Sequence, residues 1–346
     1  MPTDHLGFLP AQADRRLLRR AADIGRTEPL WAGGPRILSD PKEIAQQLRS
    51  GTLTKHYPRA LATQRTEDCP ALRRIVDSAL FLLDPPDHSR LRAALNTLHN
   101  DPDLLNSRVR SAVVESLNAL PIGQPLEATA DVGVPAALAV VSALFNVQLP
   151  SAVGAVLART ARALNRLAAL DMAQPPNPSD ERAAREVREA VEAWPSSEGF
   201  MVGSSREPNS YEDDGISTDR YIDLIQFLAA TAIETTSTTV IASLAAGIPP
   251  EEVRLLFDFA TTAPLLPYTL QSPQHEPIPV LLNISHAHPF GIGPHHCVGA
   301  NIAKLVAETT LSWAYNSNIK IRGELNWHSD LLGRSLHGTL TLTPRR

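Results

Sequence analysis

Apolar residues recur at helical spacing along most of the chain, and this pattern predicts a mainly helical protein. Predicted helices cover 12–23, 41–49, 70–79, 87–98, 135–146, 151–170, 180–193, 218–246 and 297–314. Strand patterns cover 36–38, 279–282 and 339–342, the last of which alternates threonine with leucine. Loops are predicted over 174–179, 195–215 and 247–250. No internal repeat occurs, so the whole chain, 1–346, is predicted to form one mainly α domain with small β-sheets.

The longest predicted helix, 218–246, has a start signal at Ser217 or Thr218 and a stop signal at Gly247. At 1.5 Å per residue it extends roughly 40 Å, the width of a domain, so we expect it to cross the core. Its middle reads Ala-Ala-Thr-Ala-Ile-Glu-Thr-Thr, 229–236. Small residues let a flat ligand approach the helix backbone, and an acid followed by two threonines is unusual for packing alone.

Composition and charge exclude several classes of protein. Of the 346 residues 43% are hydrophobic and 20% charged, which indicates a globular chain. The net charge of −5 and the low aromatic content argue against nucleic acid or an anionic membrane as a partner. Two cysteines exclude a disulfide scaffold and fit a reducing cytoplasm. Because the N-terminus lacks an apolar core and the apolar stretch 132–145 is too short to span a bilayer, we expect a cytoplasmic protein.

The segment 288–300, His-Pro-Phe-Gly-Ile-Gly-Pro-His-His-Cys-Val-Gly-Ala, carries the clearest chemical signal. Gly291 and Gly293 permit tight turns. We expect Cys297 to open a helix, where unpaired amides and the helix dipole would lower its pKa and stabilise a thiolate. Gly299 removes bulk beside it, so a planar group has room to lie against the backbone.

Three interpretations of this cysteine remain open on the residues alone. The first is a buried structural cysteine beside a glycine turn. The second is a zinc site, because the chain clusters the side chains His286, His288, His295, His296 and Cys297, although adjacent ligands are poorly spaced for zinc. The third is a haem iron held by an axial thiolate. A dinucleotide site is excluded because the third glycine of its fingerprint would fall on His296.

The pattern Phe290-Gly-x-Gly-x-His295-x-Cys297-x-Gly299 resembles the cysteine-ligand loop of the cytochrome P450 family. The resemblance implies the mainly α cytochrome P450-like fold and haem b (iron protoporphyrin IX) as cofactor. It implies that Cys297 is the iron ligand and that His295 lies near a haem propionate. It also implies that Phe290, Gly291 and Gly299 bind the cofactor.

Two further segments are similar to the same family. Residues 84–92, Asp-Pro-Pro-Asp-His-Ser-Arg-Leu-Arg, resemble its DPPxHxxxR helix start, which implies that His88 and Arg92 bind propionate. The central helix resembles the family's I-helix. This implies that Glu234 and Thr235 handle oxygen and protons, and that Ala230 contacts haem or substrate.

The sequence departs from the family between the central helix and the cysteine loop, where the chain is shortened and the family normally has a further helix. Glu251 and Arg254 have the spacing of the family's ExxR ion pair, but a second register places Leu256 at the arginine position. Tyr268 stands where the family places an arginine near a propionate.

The resemblance implies a monooxygenase that oxidises a small organic molecule in secondary metabolism, with a ferredoxin-type electron donor. The shortened segment supports an alternative, a P450-derived protein without monooxygenase activity. It would be a repurposed haem enzyme or a non-catalytic partner subunit.

Overall fold

The computed structural model describes residues 36–96, 101–168, 176–194, 216–259, 265–272, 275–283, 289–317, 319–329 and 334–344. Helices predominate in this part of the chain, as the apolar pattern predicts. They are α1 (Pro41–Ser50), α2 (His56–Arg65), α3 (Pro70–Ser78), α4 (Asp87–Asn96), α5 (Pro102–Asn118), α6 (Val134–Phe145), α7 (Ser151–Ala168), α8 (Pro178–Glu192), α9 (Thr218–Ala246), α10 (Val253–Phe259) and α11 (Ala300–Asn316). The predicted helix 12–23 and the predicted loop 195–215 lie outside the described residues.

The strands form two small sheets. The first has the order β1 (Arg36–Leu38), β5 (His275–Asn283), β4 (Leu265–Ser272), β2 (Leu53–Thr54), with β1 parallel to β5 and the other pairs antiparallel. The second has the order β3 (Pro125–Glu127), β7 (Arg334–Pro344), β6 (Ile319–Ser329), all antiparallel. Leu340 and Leu342 of β7 are buried, as the threonine–leucine alternation predicts.

Helix α9 crosses the core and joins two hydrophobic clusters. The Ser217 hydroxyl accepts a hydrogen bond of 3.3 Å from the Arg220 amide at its start, and Gly247 ends it in the left-handed conformation with φ of +60°. Its first half packs with α3, α7 and α8, whereas its second half packs with α6 and α11. A helix in this position presents its middle residues to the centre of the molecule.

The pattern missed several elements, including α2, α5, α10 and the strands β3, β4 and β6. Helix α5 nevertheless has a local signal. Asp101 caps it by accepting a bond of 2.9 Å from the Leu104 amide, and Pro102 occupies its first turn. Its buried residues recur every fourth position from Leu105 to Leu117.

Two helical stretches are long and apolar enough to span a membrane by length and composition, Ala128–Phe145 and Thr218–Ala246. The buried share is 50% for the first stretch and 67% for the most apolar 18-residue window of the second. Core helices of a globular protein have the same properties.

Candidate functional site

The cysteine loop runs from Pro289 through a short 3₁₀ turn, Gly293–His295, to helix α11. Gly299 is the residue before the first turn of α11, which begins at Ala300. The Cys297 amide donates a hydrogen bond of 2.8 Å to the Phe290 carbonyl. The prediction that Cys297 opens the helix is therefore wrong, because this bond holds it in the loop, three residues before the helix.

The two glycines of the loop adopt the conformation that the sequence predicts. Gly291 has φ of +66° and Gly293 has φ of +70°, backbone conformations that residues with a side chain rarely adopt. A Cβ atom on Gly293 would stand 3.3 Å from the Leu48 carbonyl oxygen, so the loop lies close against the end of α1. The Phe290 ring packs 4.9 Å from the ring of Phe257 and anchors the other side of the loop on α10.

The Cys297 residue is exposed, although protein atoms surround its thiol closely enough to desolvate it. Burial raises the pKa of the thiol, while the Gly299 amide and the charge of Arg92 act in the opposite direction. The prediction of a lowered pKa is wrong for the protein without a bound cation, because desolvation outweighs both stabilising contacts.

Helix α4 brings its two predicted functional residues to this loop. The His88 ring lies 4.5 Å from the His295 ring, and the Arg92 guanidinium donates a hydrogen bond of 2.6 Å to the His296 carbonyl. His88 is buried, whereas Arg92 is half-buried. The spacing of four residues in the sequence thus places both side chains against the cysteine loop.

Two residues that sequence reasoning did not assign to the site complete this arrangement. The Lys55 side chain is 2% exposed, and its ammonium nitrogen lies 3.2 Å from the centre of the Tyr268 ring. The Tyr268 ring in turn meets the His295 ring edge-on at 5.8 Å. The position of Tyr268 in the family pattern was the available signal for it, but nothing marks Lys55, because lysine is ordinarily a surface residue.

We call Lys55, His88, Arg92 and His295 the basic cluster. Burial, together with charge repulsion from Lys55, His88 and Arg92, lowers the pKa of His295 to about 2. Burial also lowers the pKa values of His88 and Lys55. The acid that acts on both of these is Asp84. A cluster of basic side chains is suited to bind a carboxylate, with which it can form charge-assisted hydrogen bonds.

The middle of α9 holds the predicted oxygen-handling residues. The Thr235 residue is exposed, although Ile233 and Ser237, two positions away on either side, are buried, so it faces an accessible space. Its hydroxyl donates a hydrogen bond of 2.9 Å to the Thr231 carbonyl, a frequent habit of threonine within helices. The Glu234 side chain lines a small cavity together with Arg162 and His337.

Ala230 is 0% exposed and belongs to the hydrophobic core. Its contact with haem or substrate stays a prediction. Ala232, which is half-buried, is the small residue of this stretch with accessible surface.

The structure does not form the ExxR ion pair from Glu251 and Arg254. Both side chains are exposed, and no salt bridge joins them. Leu256, by contrast, is buried in the cluster that contains α11. This agrees with the second register, which places a leucine at the arginine position.

A zinc site gains no support from the part of the chain that the structure describes. No group of three histidine, cysteine or acidic side chains there is placed to hold a metal ion. His286 and His288, which the zinc interpretation also used, lie outside the described residues.

No protein-family model matches the chain, and no curated protein matches it. Solved structures do match. Epothilone B-bound cytochrome P450epoK superimposes with a TM-score of 0.73 at 18% identity, covering 99% of this chain and 98% of that chain. This chain has the cytochrome P450 fold. A complex of P450BioI with an acyl carrier protein ligated to hexadec-9Z-enoic acid gives a TM-score of 0.71 at 14% identity, covering 94% of this chain and 99% of that chain.

A third P450 structure, the mycinamicin VIII C21 methyl hydroxylase MycCI from Micromonospora griseorubida, gives a TM-score of 0.60 at 17% identity. It covers 88% of this chain and 89% of that chain. These matches confirm the predicted P450 fold over nearly the whole length. At such low identity they establish the fold and leave the roles of individual residues as predictions.

Proposed function

We propose that this P450-fold protein binds haem b, with Cys297 as the iron ligand, and oxidises a small organic molecule. One observation carries the proposal: the accessible thiol of Cys297 lies on the same loop as His295, whose ring belongs to the basic cluster. Haem can bind both the thiol and the basic cluster, because its iron binds a thiolate and its propionates accept hydrogen bonds from basic side chains.

The residues around the thiol suit this role. A thiol loses its proton when it binds a metal, so coordination would overcome the effect of burial on the Cys297 pKa. The Gly299 amide and the Arg92 charge stabilise the resulting thiolate. When bound, haem with a thiolate ligand supplies oxygen activation, since thiolate donation favours O–O cleavage.

On the α9 side, Thr235 and Glu234 are the residues that would manage protons. The Thr235 hydroxyl donates its hydrogen to the Thr231 carbonyl, so its oxygen remains an acceptor toward the accessible space. Glu234 would pass a proton inward from the small cavity that it lines. Ala232 leaves room for the bound group beside them.

The nature of the substrate is inferred from the similar structures. Two of them contain epothilone B and mycinamicin VIII, and the latter protein is a methyl hydroxylase. These ligands support a small organic molecule of secondary metabolism as the substrate class. We further propose a ferredoxin-type electron donor and a cytoplasmic location.

A second candidate function is a P450-derived haem protein without monooxygenase activity. The positions of Glu251 and Arg254, which are exposed and do not pair with each other, favour it, because the family's ion pair lies in the segment that supports the thiolate loop. Such a protein would keep the haem site and lack turnover with electron donors.

The haem content and the oxygen consumption of the purified protein distinguish the two candidates. A protein that carries haem and consumes oxygen in step with product formation, when given ferredoxin, its reductase and a small organic substrate, supports the monooxygenase. A protein that carries haem and consumes no oxygen supports the second candidate. A protein that binds no haem, even after reconstitution with hemin, would overturn both.

A further inference from the structure

The small cavity that Glu234 lines is enclosed by side chains from several elements. Its walls come from helices α6, α7 and α9, from strand β7 and from a π-helical segment, Ala128–Gly133. Its volume is about 20 Å³, which holds about one water molecule. Three ionisable side chains line it, Glu234 from α9, Arg162 from α7 and His337 from β7. The proposed function uses Glu234 and gives His337 no role.

The hydroxyl of Thr129 fixes which nitrogen of the His337 ring carries a proton. This hydroxyl donates its hydrogen to the Leu336 carbonyl at 3.0 Å, and its oxygen lies 3.2 Å from Nδ1 of His337. Because a hydroxyl has a single hydrogen, Nδ1 is the donor in the second contact. The neutral ring therefore holds its proton at Nδ1, and Nε2 is the nitrogen that gains and loses a proton.

The π-helical segment lies directly against α9. A Cβ atom on Gly133 would overlap the Ser237 hydroxyl, so glycine permits this close approach. Ser237 itself lines the cavity, about one helical turn after Glu234. Single π-helical turns are frequent at functional sites. The approach brings Thr129, and the His337 ring bonded to it, to the cavity that Glu234 lines.

Of the two basic residues at the cavity, histidine is the one that exchanges protons near neutral pH. Arg162 keeps its charge throughout this range, so it supplies no proton. Glu234 and Arg162 are the charged groups that face His337 across the cavity in the described part of the chain. Thr129, and Asn326 opposite His337 in β6, do not titrate. The His337 residue is half-buried, so its ring can regain protons from solvent.

We infer that His337 supplies protons to Glu234 across this cavity and thereby feeds the pair Glu234 and Thr235. The inference rests on the proposed function. In each transfer, the imidazolium gives the proton of Nε2 to a water molecule in the cavity, and that water gives one of its own protons to the Glu234 carboxylate. The neutral ring then regains a proton from solvent. Thr129 is the positioning residue, because its bond keeps the other proton of the ring at Nδ1.

The first test uses the haem-free full chain and requires no activity. Nitrogen-15 NMR of the His337 ring, recorded across a pH titration, should show the proton of the neutral ring at Nδ1, and Thr129→Val should lose this preference. In Glu234→Gln the midpoint of the His337 titration should fall by about 0.5 in pH, because the carboxylate stabilises the imidazolium. A neutral ring protonated at Nε2, or an unchanged midpoint in Glu234→Gln, would overturn the inference.

The second test uses the haem-loaded protein with ferredoxin, its reductase and a small organic substrate. His337→Gln should form product about tenfold more slowly at pH 7, with a larger solvent deuterium isotope effect. The rate of wild type should fall as the pH rises through the His337 titration, and His337→Gln should lack this fall. His56→Gln, a change at an exposed histidine, should keep the wild-type rate and pH profile.

The outcomes separate the inference from the proposed function. A His337→Gln variant with the wild-type rate and pH profile would overturn the inference and leave the monooxygenase intact. A variant that is slower only in proportion to a loss of bound haem would also overturn it, because that result indicates a structural role. A wild-type protein that consumes no oxygen would overturn the proposed monooxygenase, and the inference with it.

Discussion

The Arg92 guanidinium donates a hydrogen bond of 2.6 Å to the main-chain carbonyl of His296. These residues are 204 positions apart in the chain, and the bond joins helix α4 to the loop that holds Cys297. Arg92 therefore has a structural contact in addition to the propionate contact that we propose. Replacing Arg92 would therefore affect both the position of the cysteine loop and the proposed contact with the propionate.

Replacing Arg92 by alanine should weaken the haem site. The lost hydrogen bond involves a charged donor that is half-buried, so we expect the free energy of unfolding to fall by about 1 kcal/mol. The variant should also purify with less haem, as should the double variant His88→Ala/Arg92→Ala. Arg90→Ala, an exposed arginine on the same helix, is the control and should leave both quantities unchanged.

Arg254 should be dispensable. Its side chain is exposed and makes no ion pair with Glu251, so Arg254→Ala should change the free energy of unfolding by less than about 0.5 kcal/mol and keep the haem content. The buried Leu256 on the same helix supplies the contrast, because Leu256→Ala should cost about 2–5 kcal/mol. A strongly destabilised or haem-free Arg254→Ala variant would show that the ion pair forms after all.

Thr235 should control how electrons are used. We expect Thr235→Ala to bind haem normally but to form less product per electron, with more hydrogen peroxide, because the exposed hydroxyl of α9 is gone. Thr239 makes the same kind of bond one turn later, to the Thr235 carbonyl at 2.8 Å, so Thr239→Ala is the matched control. Equal product yields in wild type and Thr235→Ala would remove the proposed role.

His88 should make the stability of the haem-free protein depend on pH. Burial lowers its pKa below the ordinary value of 6.5, Arg92 and Lys55 add to the lowering, and Asp84 opposes it. The unfolded chain then binds a proton more readily than the folded protein. The contribution of His88 to stability is therefore fully present above its ordinary pKa and is lost as the pH falls through the lowered value.

We expect the urea midpoint of the haem-free protein to fall between about pH 7.5 and about pH 5.5, and His88→Gln to reduce this fall. His56→Gln, a change at an exposed histidine, should behave like wild type. The same pH dependence in wild type and His88→Gln would show that His88 is not the residue responsible.

The elements that the sequence predicts well are those whose ends are set locally. Helix α9 was predictable to the residue, because Ser217 and Gly247 cap it through contacts within a few positions. The cysteine loop was recognisable for the same reason, since its glycines are needed for backbone turns at Gly291 and Gly293. The family pattern of the loop then gave the fold that the solved structures confirm.

The parts that the sequence predicts poorly depend on distant contacts. The start of α11 was placed three residues too early, because the bond from Cys297 to Phe290 keeps the cysteine in the loop. The sign of the Cys297 pKa shift was wrong because desolvation by the folded chain has no local signature. Lys55 was missed because its partners, Tyr268 and Asp84, come to it only through the tertiary fold.

The ferrous–carbon monoxide spectrum of the haem-loaded protein tests the central claim most directly. A thiolate ligand gives this complex a Soret band at an unusually long wavelength, so wild type should show that band and Cys297→Ala should lose it. Cys69→Ala, which changes the other cysteine of the chain, should keep it. A Cys297→Ala variant with the wild-type spectrum, or a wild type without the thiolate band, would contradict the assignment of Cys297 as the iron ligand.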